Sequence, residues 1–169
     1  VVIAVEQGSV RESYKGPACV TIRGRQLIEE RIADIRERRL AELRPLLVEH
    51  ERDERYVTEF ENLLEEAARW EAFLSEAKVL DPKAAVKAGR VDLGVRTRIR
   101  TQNGDEIWVI PVHPAEGFLD DERISAASPL GSAILGAHKG ETVEVDAPVG
   151  TWRCSILDVA RVSLGSTRG

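Results

Sequence analysis

At 169 residues, with 43% apolar and 31% charged side chains, the chain has the makeup of one globular domain, or of two small ones sharing a modest core. A formal charge of -5 argues against wrapping a phosphate backbone by net field, and 5% aromatics argues against a stacking surface for single strands. Two cysteines, Cys19 and Cys154, are too few for a disulfide framework or a metal cluster, and no run of 18 apolar residues occurs; the expected location is cytoplasmic.

Residues 1–20, "VVIAVEQGSVRESYKGPACV", mix Gly8, Gly16 and Pro17 with polar residues and are expected to form a flexible arm outside the core. From about Gly24 to Val79 the period is helical. Ile28, Ile32 and Ile35 begin one apolar stripe, which blurs at Arg39 or Leu40 and resumes at Leu43 and Leu46 or Leu47. Tyr56, Phe60, Leu63, Ala67, Trp70, Leu74 and Ala77 form a second stripe with the 4–3 spacing of a heptad. Each stripe is too narrow to be buried on all sides, so an antiparallel pair of arms turning near residues 50–53 is expected. A continuous helix that dimerises is the alternative. Pro45 removes a backbone donor and should bend the first arm.

Residues 81–90, "DPKAAVKAGR", end the helical region as a linker, and the period then becomes two. "VDLGVRTRIRTQ" and "DEIWVIPVH" read as strands joined at Asn103, Gly104 and Asp105, the strongest hairpin signal in the chain. Pro111 should sit at an edge or bulge. Pro129 opens a short apolar helix, "PLGSAILGA", which Gly136 or Gly140 can stop. "ETVEVD" and "TWRCSILDVARV" complete a small antiparallel sheet, with Leu130, Ala133, Ile134 and Leu135 as its apolar plug. The fold class is therefore α+β.

Chemistry-bearing residues are sparse. His50, His113 and His138 lie on three different elements without metal-ligand spacing, and Cys154 reads as a small hydrophobe in a strand. Ser125 or Ser128 reads as a helix cap rather than a nucleophile. Glu49, Glu51, Asp53 and Glu54 crowd four carboxylates around the turn between the arms, broken by Arg52. Such a turn is a solvated surface, or an acidic end that touches a basic surface or helps to hold a divalent metal in a partner's site. No residue is expected to be catalytic.

The stretch "ISAASPLGSAILGAHKGETVEVDAPVG" resembles the GreA/GreB family of bacterial transcript-cleavage factors. The agreement falls on Ser125, Ser128, Pro129, Leu130, Gly131, Ala133, Leu135, Gly136, Gly140, Val143, Val145, Pro148 and Gly150. "VTIRGRQLIEERIADIRERR", with Gly24 in place, resembles the start of that family's first helix, and "LSEAKVLD" the end of its second. The resemblance spans about residues 21–160. It implies a coiled-coil hairpin over 21–80, the linker 81–90, an FKBP-like domain over 91–163 and a tail at 164–169.

By the same resemblance the partner is bacterial RNA polymerase. The C-terminal domain would dock beside the secondary channel through Ser125, Ser128, Pro129, Leu130 and Gly131. The coiled coil would reach inward, meeting the DNA/RNA complex indirectly. The family's Gly-Asp-Leu-x-Glu-Asn-x-x-Tyr tip motif is absent. With Tyr56 on its tyrosine, its Asp, Glu and Asn positions fall on Glu49, Arg52 and Asp53. The resemblance thus implies modulation rather than strong stimulation of transcript cleavage. Any Mg²⁺ would be shared with the polymerase through Asp53 and Glu54, and the chain itself would be monomeric. The FKBP-like fold also raises prolyl isomerase activity, although scarce aromatics leave little to build a proline pocket.

Overall fold

The computed structural model describes residues 14–48 and 53–162. Its first element is not a helix. Cys19–Val20 forms β1, 3% and 1% exposed, and pairs in parallel with β2, Lys78–Val79. The last part of the expected arm is therefore a buried strand, because the segment beside the base of the helices needs its backbone groups paired; residues 1–13 lie outside the described residues.

Thr21 begins α1, Ile22–Ala33: its extended backbone leaves the hydroxyl free to accept from the Gly24 N–H at 2.9 Å. The first arm then runs through a π-helical segment, Asp34–Arg39, to α2, Leu40–Leu43. In the π segment the Leu40 N–H donates to the Ile35 carbonyl five residues back. This extra residue resolves the blurred position in the stripe, for Leu40 is 2% exposed and Arg39 stays at the edge. Pro45 does more than bend the arm. It ends the α-helix and opens a 3₁₀ turn, Pro45–Leu47.

The second arm is α3, Glu54–Glu76. It returns along the first: Arg39 pairs with Glu59 while Arg31, further back, pairs with Glu66 at 2.8 Å. Ile35, Leu40 and Leu43 bury themselves against Leu63 and Ala67, with Leu46 and Phe60 closing the edge. Full burial of each large side chain contributes about 1.5–3 kcal/mol, far more than the exposed Arg–Glu pairs around them. Tyr56, expected within the second stripe, is 37% exposed.

Residues 81–90 hold α4, Lys83–Lys87, whose Ala85 joins the core of the sheet domain. Strand β3, Arg96–Arg100, and strand β4, Glu106–Val112, form the expected hairpin, with Gly104 at φ +89° in the turn. Pro111 lies past the last β3 partner, where its missing donor costs no ladder bond. A 3₁₀ turn, Pro114–Glu116, leads to β5, Arg123–Ser125, then come α5, Pro129–Ile134, β6, Thr142–Ala147, and β7, Gly150–Ala160.

The sheet order is β5-β4-β3-β7-β6. All pairs are antiparallel except β4 with β5, which is parallel, so the sheet is mixed at one edge. Strand β5 was not expected; it is three residues long and carries no alternation to read. One sheet face packs on α5 through Ile134, Val145, Ile99, Cys154 and Ile156, all nearly or fully buried. The other is covered by charged side chains, with the Arg96 guanidinium 4.3 Å over the Trp108 ring and paired to Glu122.

Candidate functional site

Three places are candidates for function: the far end of the helical arms, the corner before α5, and the junction between arms and sheet. At the far end, Glu49 and Glu51, like His50 and Arg52, lie outside the described residues. Asp53 is the N-cap of α3. Its Oδ1 accepts from the Arg55 N–H at 2.9 Å, and its Oδ2 accepts from the Arg55 guanidinium at 2.7 Å. That side-chain hydrogen bond holds the Asp53 carboxyl below its usual range. Glu54 is exposed beside it.

A divalent ion on Asp53 would have to displace both the cap and the guanidinium. The described carboxylates therefore do not fit a metal site, and among the described residues no cluster of three metal-ligating side chains occurs.

The corner is built from the signature serines. Ser125 Oγ accepts from the Ala127 N–H at 3.1 Å, while its carbonyl accepts from Ser128 Oγ at 2.6 Å and from the Ser128 N–H at 2.9 Å. Ser128 Oγ in turn accepts from the Gly131 N–H at 3.1 Å, capping α5. A Cβ on Gly131 would fall 2.9 Å from the Ser125 carbonyl carbon, so only glycine lets the two backbones approach. Ser125, Ser128 and Gly131 are buried. They shape the corner, and Pro129 and Leu130, half-buried, are what it presents.

The junction was missed by sequence reasoning. Glu116 is completely buried, and its carboxylate accepts from the Thr21 N–H at 3.1 Å, from the Thr21 hydroxyl and from Arg123 Nε at 3.0 Å. Arg123, 5% exposed, also donates to Asp120 and, at 3.2 Å, to Thr21 Oγ1. One Glu–Arg pair thus holds the residue that starts α1. Gly24 sits against it, where an added Cβ would lie 2.8 Å from Glu116 Cγ and closer still to its carboxylate. Gly24 was recognised in the sequence, but nothing near it indicated the distant glutamate it makes room for.

Beside this clamp His113 lies between Tyr14, which meets it edge-on with ring centroids 4.9 Å apart, and Phe73, tilted at 5.0 Å. Its Nδ1 accepts from the Ala115 N–H and caps the turn that carries Glu116. Burial holds the imidazole below its usual range, partly offset by the nearby Glu116. His138, by contrast, lies exposed near Glu141. Cys154 is enclosed in the sheet core, where burial pushes its thiol up to about 11. No described helix is long and apolar enough to cross a membrane.

Residues 86–161 match the family described as "Transcription elongation factor, GreA/GreB, C-term". Transcription elongation factor GreA of Caldanaerobacter subterraneus subsp. tengcongensis is 34% identical over 95 residues, covering 56% of this chain and 60% of that protein. The GreA of Christiangramia forsetii is 30% identical over 105 residues, with 61% and 66% covered. The chain spans about three fifths of the length of the first curated relatives it matches. Among solved structures, the GreA factor homolog 1 protein of Thermus thermophilus aligns at 25% identity over 86% of this chain and 99% of that one, with a TM-score of 0.38. The resemblance read over 21–160 is thus matched by the family model over the sheet domain, from the end of α4 onward. Over residues 86–161 the chain is thus assigned by similarity to the C-terminal domain of the GreA/GreB transcription elongation factor family.

Proposed function

We propose that the chain is a cytoplasmic, non-enzymatic regulator of bacterial transcription elongation that binds RNA polymerase near its secondary channel. The match of residues 86–161 to the GreA/GreB C-terminal family carries this reading. The two arms over residues 21–80 act as a coiled-coil hairpin. Residues 91–163 form an FKBP-like docking domain, joined to it by the 81–90 segment. Docking uses the corner at Ser125, Ser128, Pro129, Leu130 and Gly131, with Pro129 and Leu130 as the contacting side chains. The hairpin end delivers the acidic cluster of Glu49, Glu51, Asp53 and Glu54.

The action is modulation of transcript cleavage rather than strong stimulation. Asp53 supports this reading, since its carboxylate is engaged in capping α3 and in pairing with Arg55. Any cleavage chemistry belongs to the polymerase.

Titration of purified bacterial core polymerase with the full chain tests the reading. Saturable binding at low micromolar concentration is expected, with weak or no acceleration of cleavage in backtracked complexes. Absence of saturable binding refutes the partner. Strong acceleration abolished by Asp53→Ala with Glu54→Ala refutes the modulating role.

A further inference from the structure

The buried Glu116–Arg123–Thr21 cluster has a geometry that ordinary core packing does not require. An apolar contact between the base of α1 and the sheet domain would tolerate sliding and rotation. Hydrogen bonds do not, since each fixes a distance and a direction. Here one carboxylate takes three donors, two of them from Thr21. That residue is the N-cap of α1, its hydroxyl already holding the Gly24 N–H. The carboxylate is thus bonded to the atoms that define where the helix starts and which way it points.

The same cluster reaches the corner before α5. Arg123 and Ser125 are the two ends of the three-residue strand β5. Strand β5 is tied to β4 by the Ile110 N–H on Glu122 and the Ala126 N–H on Val112. Gly117, next to Glu116, comes close enough that an added Cβ would lie 3.4 Å from the Ser125 nitrogen. Asp120 braces the loop between them, accepting from the Glu122 N–H at 3.1 Å and the Arg123 N–H at 3.0 Å. A short, fully bonded path therefore runs from the corner to the helix start.

We propose that Glu116 is a positioning residue: clamped by Arg123, it fixes the direction in which the helical arms leave the sheet domain, so that the docking corner and the arm share one rigid frame. The inference deepens the reading as a channel-binding factor and takes its purpose from that reading. A factor that docks by one domain and acts by the far end of another needs a set angle between them, because an error in angle grows with the length of the arm.

The test uses the full chain without polymerase, so its outcome is independent of whether polymerase binds. Spin labels at Thr58→Cys on α3 and Thr151→Cys on β7 report the distance from arm to sheet by pulsed electron resonance. Buried Cys19 and Cys154 are shielded from labelling in the native state. A second pair at Asn103→Cys and Val149→Cys reports the sheet domain alone. Glu116→Ala is expected to broaden the arm-to-sheet distribution about twofold, as hinge freedom appears. It should leave the sheet pair unchanged, and Glu116→Gln, which keeps an acceptor oxygen, should restore most of the narrowing. Thr21→Val removes the hydroxyl with little change of shape and should broaden the same pair, which keeps the test decisive if Glu116→Ala does not fold. An unchanged arm-to-sheet distribution in the folded variants overturns the proposal. Equal broadening of both pairs also overturns it, since Glu116 would then be an ordinary folding residue.

Discussion

His113 shows how much one side chain can depend on neighbours far away in sequence. In the sequence it shows only that it lacks metal-ligand spacing to the other histidines. In the structure it lies between Tyr14 and Phe73, and its Nδ1 is occupied by the Ala115 N–H. Protonation of Nδ1 would break that cap and place a charge in a half-buried site, where burial already disfavours it. The folded imidazole therefore binds a proton less readily than the unfolded one, whose ordinary value is 6.5. The stability this provides is present above 6.5 and is lost as pH falls through that value toward the lower folded one. The Hε1 resonance of His113, followed by NMR, should titrate with a midpoint below 6.5. A midpoint at or above that value would mean that the flanking rings do not desolvate it.

At the scale of elements, two departures from a regular repeat share one physical cause. In the first arm the apolar residues Ile35 and Leu40 are five apart, and the π segment Asp34–Arg39 absorbs the extra residue. In β7 the register slips between Arg98 and Ile99 of its partner, so Cys154, Ile156 and then Val159 all face the core. Both are one-residue insertions into a regular repeat. Deleting Glu37 should therefore convert the π segment to a regular helix, with Leu40 four residues after Ile35 and still on the buried face. Melting should occur within a few degrees of the parent, whereas deleting Glu30, in regular α1, should lower it markedly by turning Ile28 away from the residues that follow. Equal losses from the two deletions would show that the π segment is not an inserted residue.

Much of this was legible because burial imposes period on sequence: the stripes of both arms, the Asn103-Gly104-Asp105 hairpin and the cap at Ser128 follow local rules. Strand β5, the burial of Cys19 and Val20, and the Glu116–Arg123 pair follow none. Each is set by long-range partners, and a polar residue in a loop looks the same whether it meets water or a buried guanidinium. For the same reason, Ser125 and Gly131 could be recognised as a signature, while their part in closing a turn could not.

Among the described residues two buried apolar clusters share no member, while Cys19, Val20, Ile28, Ile110, Val112 and Ala126 are buried outside both. The sheet domain has twelve buried residues around Ile99 and Ile156; the arms have five around Ile35 and Leu40. At the junction stand the Glu116 clamp, which is polar, and the contact of Phe73 on α3 with His113, while the short pairing of β1 with β2 ties the bases of the two arms to each other. A small core with one narrow seam is the weaker of the two, and its cooperativity with the sheet depends on the junction. Glu116→Ala leaves the buried Arg123 paired with Asp120 alone and takes the acceptor from the Thr21 N–H, at a cost of about 1–3 kcal/mol for each buried donor left unsatisfied. That loss falls on the coupling rather than on either core. In a Trp70→Phe background, Trp108 and Trp152 report the sheet by fluorescence while ellipticity at ~222 nm is dominated by the arms. The two thermal transitions should coincide when Glu116 is present and separate in Glu116→Ala, with the helical signal lost first, because five buried side chains must hold the arms without the rest of the fold. Separate transitions in the parent, or coincident ones in the variant, would place the coupling elsewhere, with the Phe73–His113 contact as a remaining tie between arm and sheet domain.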